Sequence, residues 1–222
     1  MQKFATTTPV SAVLDIPAGR IQVIAADRAD ATVEVRPASA AKSRDVKAAE
    51  QVTVGYEDGV LRIAAAPPKN RLLGGSGSVE VTVRVPTGSR VEAKAAAAEF
   101  RGVGRLGDVA FDGGHRTVKI DEATSVRLGG LDADITVGRL TGPGEISTMQ
   151  GNVTVAEATG GALALSTQQG DITVTAGRGV SASLDAGTTY GRVSNSLRND
   201  GGSPELTVKA TTAKGDITAS SL

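Results

Sequence analysis

The chain has 222 residues, which is enough for one large all-β domain or two small ones with a hydrophobic core of their own. Lysine plus arginine and aspartate plus glutamate both number 24, so the net charge is zero and no global basic field favours nucleic acid or an anionic membrane as a partner. The absence of cysteine excludes disulfides, thiolate metal sites and cysteine nucleophiles.

Apolar residues make up 40% of the chain but aromatic residues only 2%, with no tryptophan. This composition predicts a thin interior filled by valine, isoleucine, leucine and alanine. No apolar run of signal-peptide length follows Met1, because Thr6, Thr7, Thr8 and Pro9 interrupt it, and no stretch is long enough to span a membrane. We therefore expect a cytoplasmic location, with a surface or secreted location as the alternative.

From Val10 to Arg90 the sequence alternates apolar and polar residues between turn signals, which predicts half-buried strands. The longest alternation runs from Val79 to Val85. Residues 43–51 are the one stretch that indicates a helix, but they are few and highly charged, so a solvated loop is an equal alternative. Residues 66–78, rich in proline, glycine and serine, predict a flexible loop between strands.

Past Arg90 the chain repeats a five-residue phrase in which a turn residue precedes a short β-branched run. The clear copies are 151–155, 170–174 and 215–219, and weaker copies stand at 107–111, 133–137 and 191–195. Their second residues fall at 108, 134, 152, 171, 192 and 216, so the steps are 26, 18, 19, 21 and 24 residues. A step near twenty residues predicts one supersecondary unit per repeat, stacked on its neighbours.

A second alternating run lies between the copies, as in Leu163 and Leu165, so each step holds two short strands. The predicted fold is therefore all-β: one domain, 1–222, in which a strand-rich N-terminal half, 1–90, precedes a single-stranded parallel β-solenoid of the β-helix or β-roll type, 91–222. The alternate apolar positions predicted to point inward are Val153, Val155, Leu163, Leu165, Ile172 and Val174.

In such a stack the turn residues form a ladder, predicted in the order Asp108, Asp134, Asn152, Asp171, Arg192 and Asp216. Neighbouring acids at the roughly 4.8 Å strand spacing would repel by about 1 kcal/mol, and Asn152 and Arg192 leave Asp108 and Asp134 as the only adjacent like pair. Acidic turns bind calcium in some β-rolls, but those repeats need a nine-residue glycine-rich period. We expect no metal site and no cofactor.

Three further motifs and the single histidine have structural explanations that need no ligand or catalysis. Gly102 to Gly107 spell G-x-G-x-x-G, but residues 108–111 continue as a strand where a dinucleotide site needs a helix, so these are turn glycines. Residues 39–42 spell S-x-x-K without its companion elements, and residues 74–78 lack the lysine of a phosphate-binding loop. His115 is the only histidine, which predicts a surface turn residue and not a metal ligand.

Three stretches carry a family resemblance: residues 151–155, 163–172 and 210–218. Residues 16–23 and the turn at 83–86 match as well, so the likeness covers nearly the whole chain. On these motifs the chain resembles the bacterial putative-adhesin family of β-strand-repeat domains of unknown function. The resemblance implies a β-solenoid with a β-rich N-terminal half and no established enzyme activity.

The repeat comes with no catalytic set, so we expect a non-enzymatic structural or protein-interaction module. A surface adhesin is one alternative. The other is a carbohydrate-active enzyme, because parallel β-helices often carry such chemistry on one sheet, and its candidate outward acids are Asp121, Glu122, Asp132 and Asp134.

The last copy of the phrase ends close to Leu222, so we expect its strand to be a bare edge that invites strand addition. This candidate association edge consists of Asp216, Ile217, Thr218 and Ala219. The expected partner is another protein or a second copy of the chain, with no role for nucleic acid or a membrane. An end-to-end dimer is favoured over a filament because the N-terminal strands would cap the other end.

Overall fold

The computed structural model describes residues 1–65 and 77–222, and within them the chain forms nineteen β-strands and one helix, α1 (Ser43–Glu50). The strands are β1 (Gln2–Ala5), β2 (Ser11–Asp15), β3 (Ala18–Ala26), β4 (Asp30–Pro37), β5 (Val52–Glu57), β6 (Val60–Ala65), β7 (Val79–Pro86), β8 (Arg90–Ala95), β9 (Ala97–His115), β10 (Val118–Asp132), β11 (Ile135–Leu140), β12 (Gly144–Gln150), β13 (Val153–Ala158), β14 (Gly161–Gln169), β15 (Ile172–Ala176), β16 (Ala182–Tyr190), β17 (Val193–Ser196), β18 (Leu206–Lys214) and β19 (Ile217–Ser221). The all-β prediction is confirmed. The predicted loop at 66–78 and the 74–78 motif lie outside the described residues except for Gly77 and Ser78, which have no regular structure.

The strands pair in two ladders. The first ladder has the spatial order β5, β6, β2, β8, β9, β10, β12, β14, β18, β16. The second ladder has the order β1, β4, β7, β3, β9, β10, β11, β13, β15, β19, β17. The long strands β9 and β10 bend and so belong to both ladders. Both ladders run from the residues before position 90 into those after it without a break.

Pairing is parallel through most of both ladders and antiparallel only at their N-terminal end, in the pairs β1–β4, β4–β7 and β5–β6. The parallel register stacks like on like: Val153 lies between Ile135 and Ile172, and Thr154 lies between Thr136 and Thr173. A slip of one residue would turn every apolar side chain outward, so the period-two pattern specifies this register.

The core is one continuous apolar cluster that runs the length of the ladders. The six positions predicted to point inward are confirmed, since Val153, Val155, Ile172 and Val174 are 0% exposed and Leu163 and Leu165 are 2% exposed. Aliphatic side chains fill this interior, with one aromatic pair, Phe100 and Phe111, whose ring centroids lie 5.0 Å apart.

At the N-terminal end the ladders are covered by local structure. The ring centroids of Phe4 in β1 and Tyr56 in β5 lie 5.3 Å apart. The stretch at residues 43–51, for which a helix and a loop were equal alternatives, forms helix α1, and this helix packs against β4 and β7. So short a helix depends on tertiary contacts, and one is visible, because the buried Asp45 carboxylate accepts the backbone N–H of Ser78 at 3.0 Å.

The C-terminal strands occupy a place that the sequence order does not predict. After β17 the chain returns through residues 197–205, and β18 and β19 insert between the preceding strands instead of following them. Ile217 pairs with Ile172 on one side and with Val193 on the other. The prediction that residues 216–219 form a bare edge is therefore wrong, because their strand has a neighbour on both sides.

Candidate interaction surface

Tight turns join the first ladder to the second, and their side chains cap one another. In spatial order the turn ladder is Asp134, Asn152, Asp171, Asp216 and Arg192. Each side-chain Oδ1 accepts the backbone N–H of the next turn residue, at 2.8 Å in the first three steps and 2.9 Å in the last. These side chains satisfy backbone donors that a tight turn would otherwise leave unpaired.

Glycine precedes three of the four capping residues, Asn152, Asp171 and Asp216, for a steric reason. Gly170 has φ +150, and a Cβ there would overlap the carbonyl oxygen of Gly151. Gly215 repeats this geometry against Gly170, again at φ +150. The glycine–aspartate signature of the repeat is thus explained by turn construction.

The predicted order of the turn ladder needs two corrections. Asp108 is not a member, because it lies within β9, where it accepts the Ser125 hydroxyl at 2.6 Å. Asp171 and Asp216 are neighbours, contrary to the expected alternation. The pair is tolerated because Asp171 Oδ1 binds a backbone N–H and the Arg192 guanidinium lies 3.8 Å from Asp216.

The candidate catalytic acids have separate structural partners. Asp121 is paired with Arg101 at 2.7 Å and accepts the Gly104 N–H at 3.3 Å. Asp132 lies 3.9 Å from His115 on the exposed surface, and Asp134 caps a turn. Glu122 lies in β10 between Arg105 and Arg139 of the neighbouring strands.

The other sequence motifs have structural positions that differ from ligand sites. Gly102 to Gly107 lie inside β9, where it bends from the second ladder into the first, and β10 follows instead of a helix. Residues 39–42 lead directly into α1. Among the described residues, no three histidine, cysteine or acidic side chains lie close enough together to hold a metal ion.

The surface that stands out is the open edge, formed by β16 and β17 at the C-terminal end of the two ladders. In the described part of the chain, β16 pairs only with β18 and β17 pairs only with β19. Core positions lose their cover there: Val193 is 45% exposed, whereas Ile217 and Ile172, one and two strands further in, are 0% exposed. Leu184 is only half-buried, and the Tyr190 ring is 74% exposed.

The backbone of β16 also has groups directed away from the ladder. The Leu206 N–H of β18 donates to the Ser181 carbonyl at 3.1 Å, whereas the Ala182 N–H donates to the Arg198 carbonyl of the returning loop at 2.9 Å. Because backbone groups alternate sides along a strand, Leu184, Ala186 and Thr188 direct theirs to the open side, as Ala182 does. Among the described residues, the backbone of the returning loop bonds to this row at Ala182. The sequence did not reveal this edge, since nothing local distinguishes β16 from strands buried in the stack.

The outer face of the first ladder is a second exposed surface, with a shallow groove of about 450 Å³ lined by Glu92, Ala110, Arg127, Glu145 and other side chains. The charges in this groove face one another: Arg127 Nε lies 3.5 Å from a Glu145 oxygen, with both side chains well exposed. Exposed charges that pair with each other in this way leave few unpaired charged groups for a partner to bind.

Fold and edge together define an all-β protein whose strand ladders end in an exposed edge. The chain belongs to the Toastrack DUF4097 family, whose model matches residues 13–221. This confirms the resemblance to the bacterial putative-adhesin family of unknown function. A comparison with curated proteins finds no match. Among the described residues, no helix has the length and apolar character needed to cross a membrane.

One similar solved structure supports the fold, and two further structures are similar at lower TM-scores. A putative adhesin from Bacteroides fragilis is similar at a TM-score of 0.56 and 14% identity, covering 98% of this chain and 95% of that one. A putative adhesin from Parabacteroides merdae covers 100% of this chain and 93% of its own, with 12% identity and a TM-score of 0.41. A putative cell adhesion protein from Clostridium sporogenes covers 100% and 98%, with 11% identity and a TM-score of 0.38. At these identities the likeness concerns the fold alone.

Proposed function

We propose that the chain is a non-enzymatic, adhesin-like interaction module that binds an extended strand of a protein partner along the open edge. The exposure of Val193 carries the proposal, because the same core position is fully buried one strand further in. A partner strand would cover this side chain and pair the free backbone groups of β16, as in β-strand addition.

We further propose that the two ladders form the sides of a β-solenoid with two short strands per coil. The alternation of consecutive strands supports this arrangement, since β13 lies in the second ladder, β14 in the first, and β15 again in the second, directly beside β13. On this view the open edge is the terminal coil, and its inward side chains would pack on the coil that a partner supplies.

A non-enzymatic role and a cytoplasmic location remain proposals. Asp121, Asp132 and Asp134 each have a separate structural partner. This favours a non-enzymatic role over carbohydrate hydrolysis, which requires two carboxyl groups on either side of the scissile bond. The adhesin descriptions of the structural neighbours favour a surface location instead, and fractionation of the native cells distinguishes the two.

A matched pair of variants at Ala186 tests the interaction. The Ala186 N–H faces the open side, so Ala186→Pro removes one edge donor without breaking a bond within the ladder. Ala186→Ser, which keeps the N–H, is the control. Affinity capture from the native cells should lose its specific partners with Ala186→Pro and keep them with Ala186→Ser. Equal capture by both variants would place the interaction elsewhere.

A further inference from the structure

We propose that the partner segment on the open edge is a strand that runs parallel to β16 and has the pattern apolar-x-apolar-x-threonine. This inference rests on the proposed function of the open edge and names the class of segment that the edge takes. It follows from contacts that repeat from strand to strand along the two ladders and whose next position, beyond β16, is open.

The last strands of the first ladder share this pattern. It consists of Leu163, Leu165 and Thr167 in β14, of Val208, Ala210 and Thr212 in β18, and of Leu184, Ala186 and Thr188 in β16. The parallel register stacks equivalent members on one another. Because the backbone groups of the three members in β16 face the open side, a further parallel strand would continue the same register.

The threonine of each pattern donates a hydrogen bond to the turn of the neighbouring strand. The bonds run from Thr167 to the Gly151 carbonyl at 3.1 Å, from Thr212 to the Gly170 carbonyl at 3.1 Å and from Thr188 to the Gly215 carbonyl at 3.0 Å. The next acceptor in this series is the Gly191 carbonyl, to which no described residue donates. A threonine in the partner strand, placed beside Thr188, would donate to it.

The backbone N–H groups of the turn glycines form a second series. They donate from Gly151 to the Gln169 carbonyl at 2.9 Å, from Gly170 to the Lys214 carbonyl at 2.9 Å and from Gly215 to the Tyr190 carbonyl at 3.0 Å. Each acceptor lies two residues after the threonine of its pattern. The next donor, the Gly191 N–H, has no acceptor in the described part of the chain. A parallel partner strand brings its own acceptor to this donor, whereas an antiparallel strand of the same sequence brings the apolar end of its pattern there.

The second apolar position favours a bulky side chain in the partner. Leu165 occupies it in β14, but alanine occupies it in the last two strands, as Ala210 and the half-buried Ala186. Leucine or isoleucine beside Ala186 would cover it and bury apolar surface of its own. The turn ladder adds no requirement, because the Arg192 side chain has only donors and cannot accept the N–H of a further turn.

A synthetic peptide with the sequence of β14 is the probe, because it has leucine at both apolar positions and the threonine after them. With fluorescein at its N-terminus, it should bind the full chain in an anisotropy titration. The out-of-phase peptide, in which each leucine is exchanged with the alanine before it, keeps the composition but turns the leucines outward, and it should bind about tenfold more weakly or worse. Thr167→Val in the peptide removes one hydroxyl and should weaken binding about two- to tenfold, as expected for one hydrogen bond.

A disulfide tests the direction of the bound strand, since the natural chain has no cysteine. In the chain, Gly187→Cys is suitable because a Cβ there meets no atom within 4 Å. In the parallel register its neighbour is Ser166 of the peptide, at a strand spacing of about 4.8 Å that a disulfide spans. Ser166→Cys in the peptide should therefore cross-link under mild oxidation. Ala162→Cys, which an antiparallel peptide would place there, should not.

The chain variant Ala186→Pro should abolish peptide binding while its far-UV circular dichroism matches that of the natural chain. Equal binding of the β14 and out-of-phase peptides, cross-linking through Ala162→Cys alone, or no binding by any peptide would overturn the inferred pattern. The proposed function would survive each of these results if Ala186→Pro still abolishes capture from cells. Capture unaffected by Ala186→Pro would overturn the proposed function, and peptide binding unaffected by it would overturn the inference.

Discussion

At the scale of single residues, the interior depends almost entirely on aliphatic side chains, with Phe100 and Phe111 as its one aromatic pair. Ile172 is 0% exposed and lies between Val153 and Ile217. Ile172→Ala should reduce the free energy of unfolding by roughly 2–5 kcal/mol, because a thin core cannot collapse into the cavity. Urea denaturation measures the loss. Thr173→Ala, on the outward side of the same strand, is the control and should change stability by no more than about 0.5 kcal/mol. Equal, small effects of both substitutions would contradict the assigned register.

The turn acids lead to a prediction about metal ions. Asp134, Asp171 and Asp216 each commit Oδ1 to a backbone N–H of the next turn. A calcium ion would have to displace these hydrogen bonds to gain enough oxygen ligands. Melting midpoints in excess calcium and in chelator should therefore agree. A rise of several degrees with calcium would make these carboxylates ligands, since a ligand that binds the folded state stabilises it.

At the scale of elements, one ion pair that depends on pH, between Lys3 and Asp30, joins the edge strand β1 to β4. Hydrogen bonds from Lys3 and then from Arg28 hold the pKa of Asp30 below its usual value of 3.8. A lowered pKa in the folded state means that the attachment stabilises the fold above the usual carboxyl pKa and is lost as the pH falls through the lower folded value.

Asp30→Asn should therefore lower the free energy of unfolding at neutral pH. It should also reduce the loss of stability as the pH falls into the acid range. Denaturant midpoints of both proteins, measured from neutral pH into the acid range, should differ most at neutral pH and converge below the folded pKa. A difference that persists unchanged at the acid end would mean that the charge of Asp30 does not hold β1.

The insertion of β18 and β19 gives a prediction for whole elements. These strands lie between β14 and β15 on one side and β16 and β17 on the other. Deletion of residues 206–222 should abolish cooperative folding, because it removes several fully buried side chains, each contributing about 1.5–3 kcal/mol, and leaves β16 and β17 without the strands they pair with. Deletion of residues 1–5, which removes the edge strand β1, is the control and should lower the melting midpoint only modestly. Similar melting of both truncated chains would contradict the observed strand order.

At the scale of the whole molecule, the two ends of the ladders differ in how they are finished. The N-terminal end has antiparallel strands, the Phe4 and Tyr56 rings and α1 packed on β4 and β7. In the described ranges 1–65 and 77–222, the C-terminal end has only the loop after β17, which contacts the start of β16. This asymmetry is why a partner is proposed at one end alone.

The local pattern of the sequence was enough to predict the strands, the inward residues and the role of glycine in the turns. The side-chain period of two and the need for positive φ at positions such as Gly170 are properties of a few neighbouring residues. Helix α1 was only one of two equal possibilities, because its stability depends on the distant contact between Asp45 and Ser78.

The sequence by itself thus determined which residues face the core and how each turn is built, since both depend on short-range sterics and alternation. Only the tertiary structure decided the order of the strands, and with it the location of the open edge. Strands β15 and β19 both alternate inward apolar and outward polar residues, so either could be the neighbour of β17. The fully buried Ile217 of β19 gains two neighbours by insertion, while the polar β17, with four exposed residues, tolerates the end position.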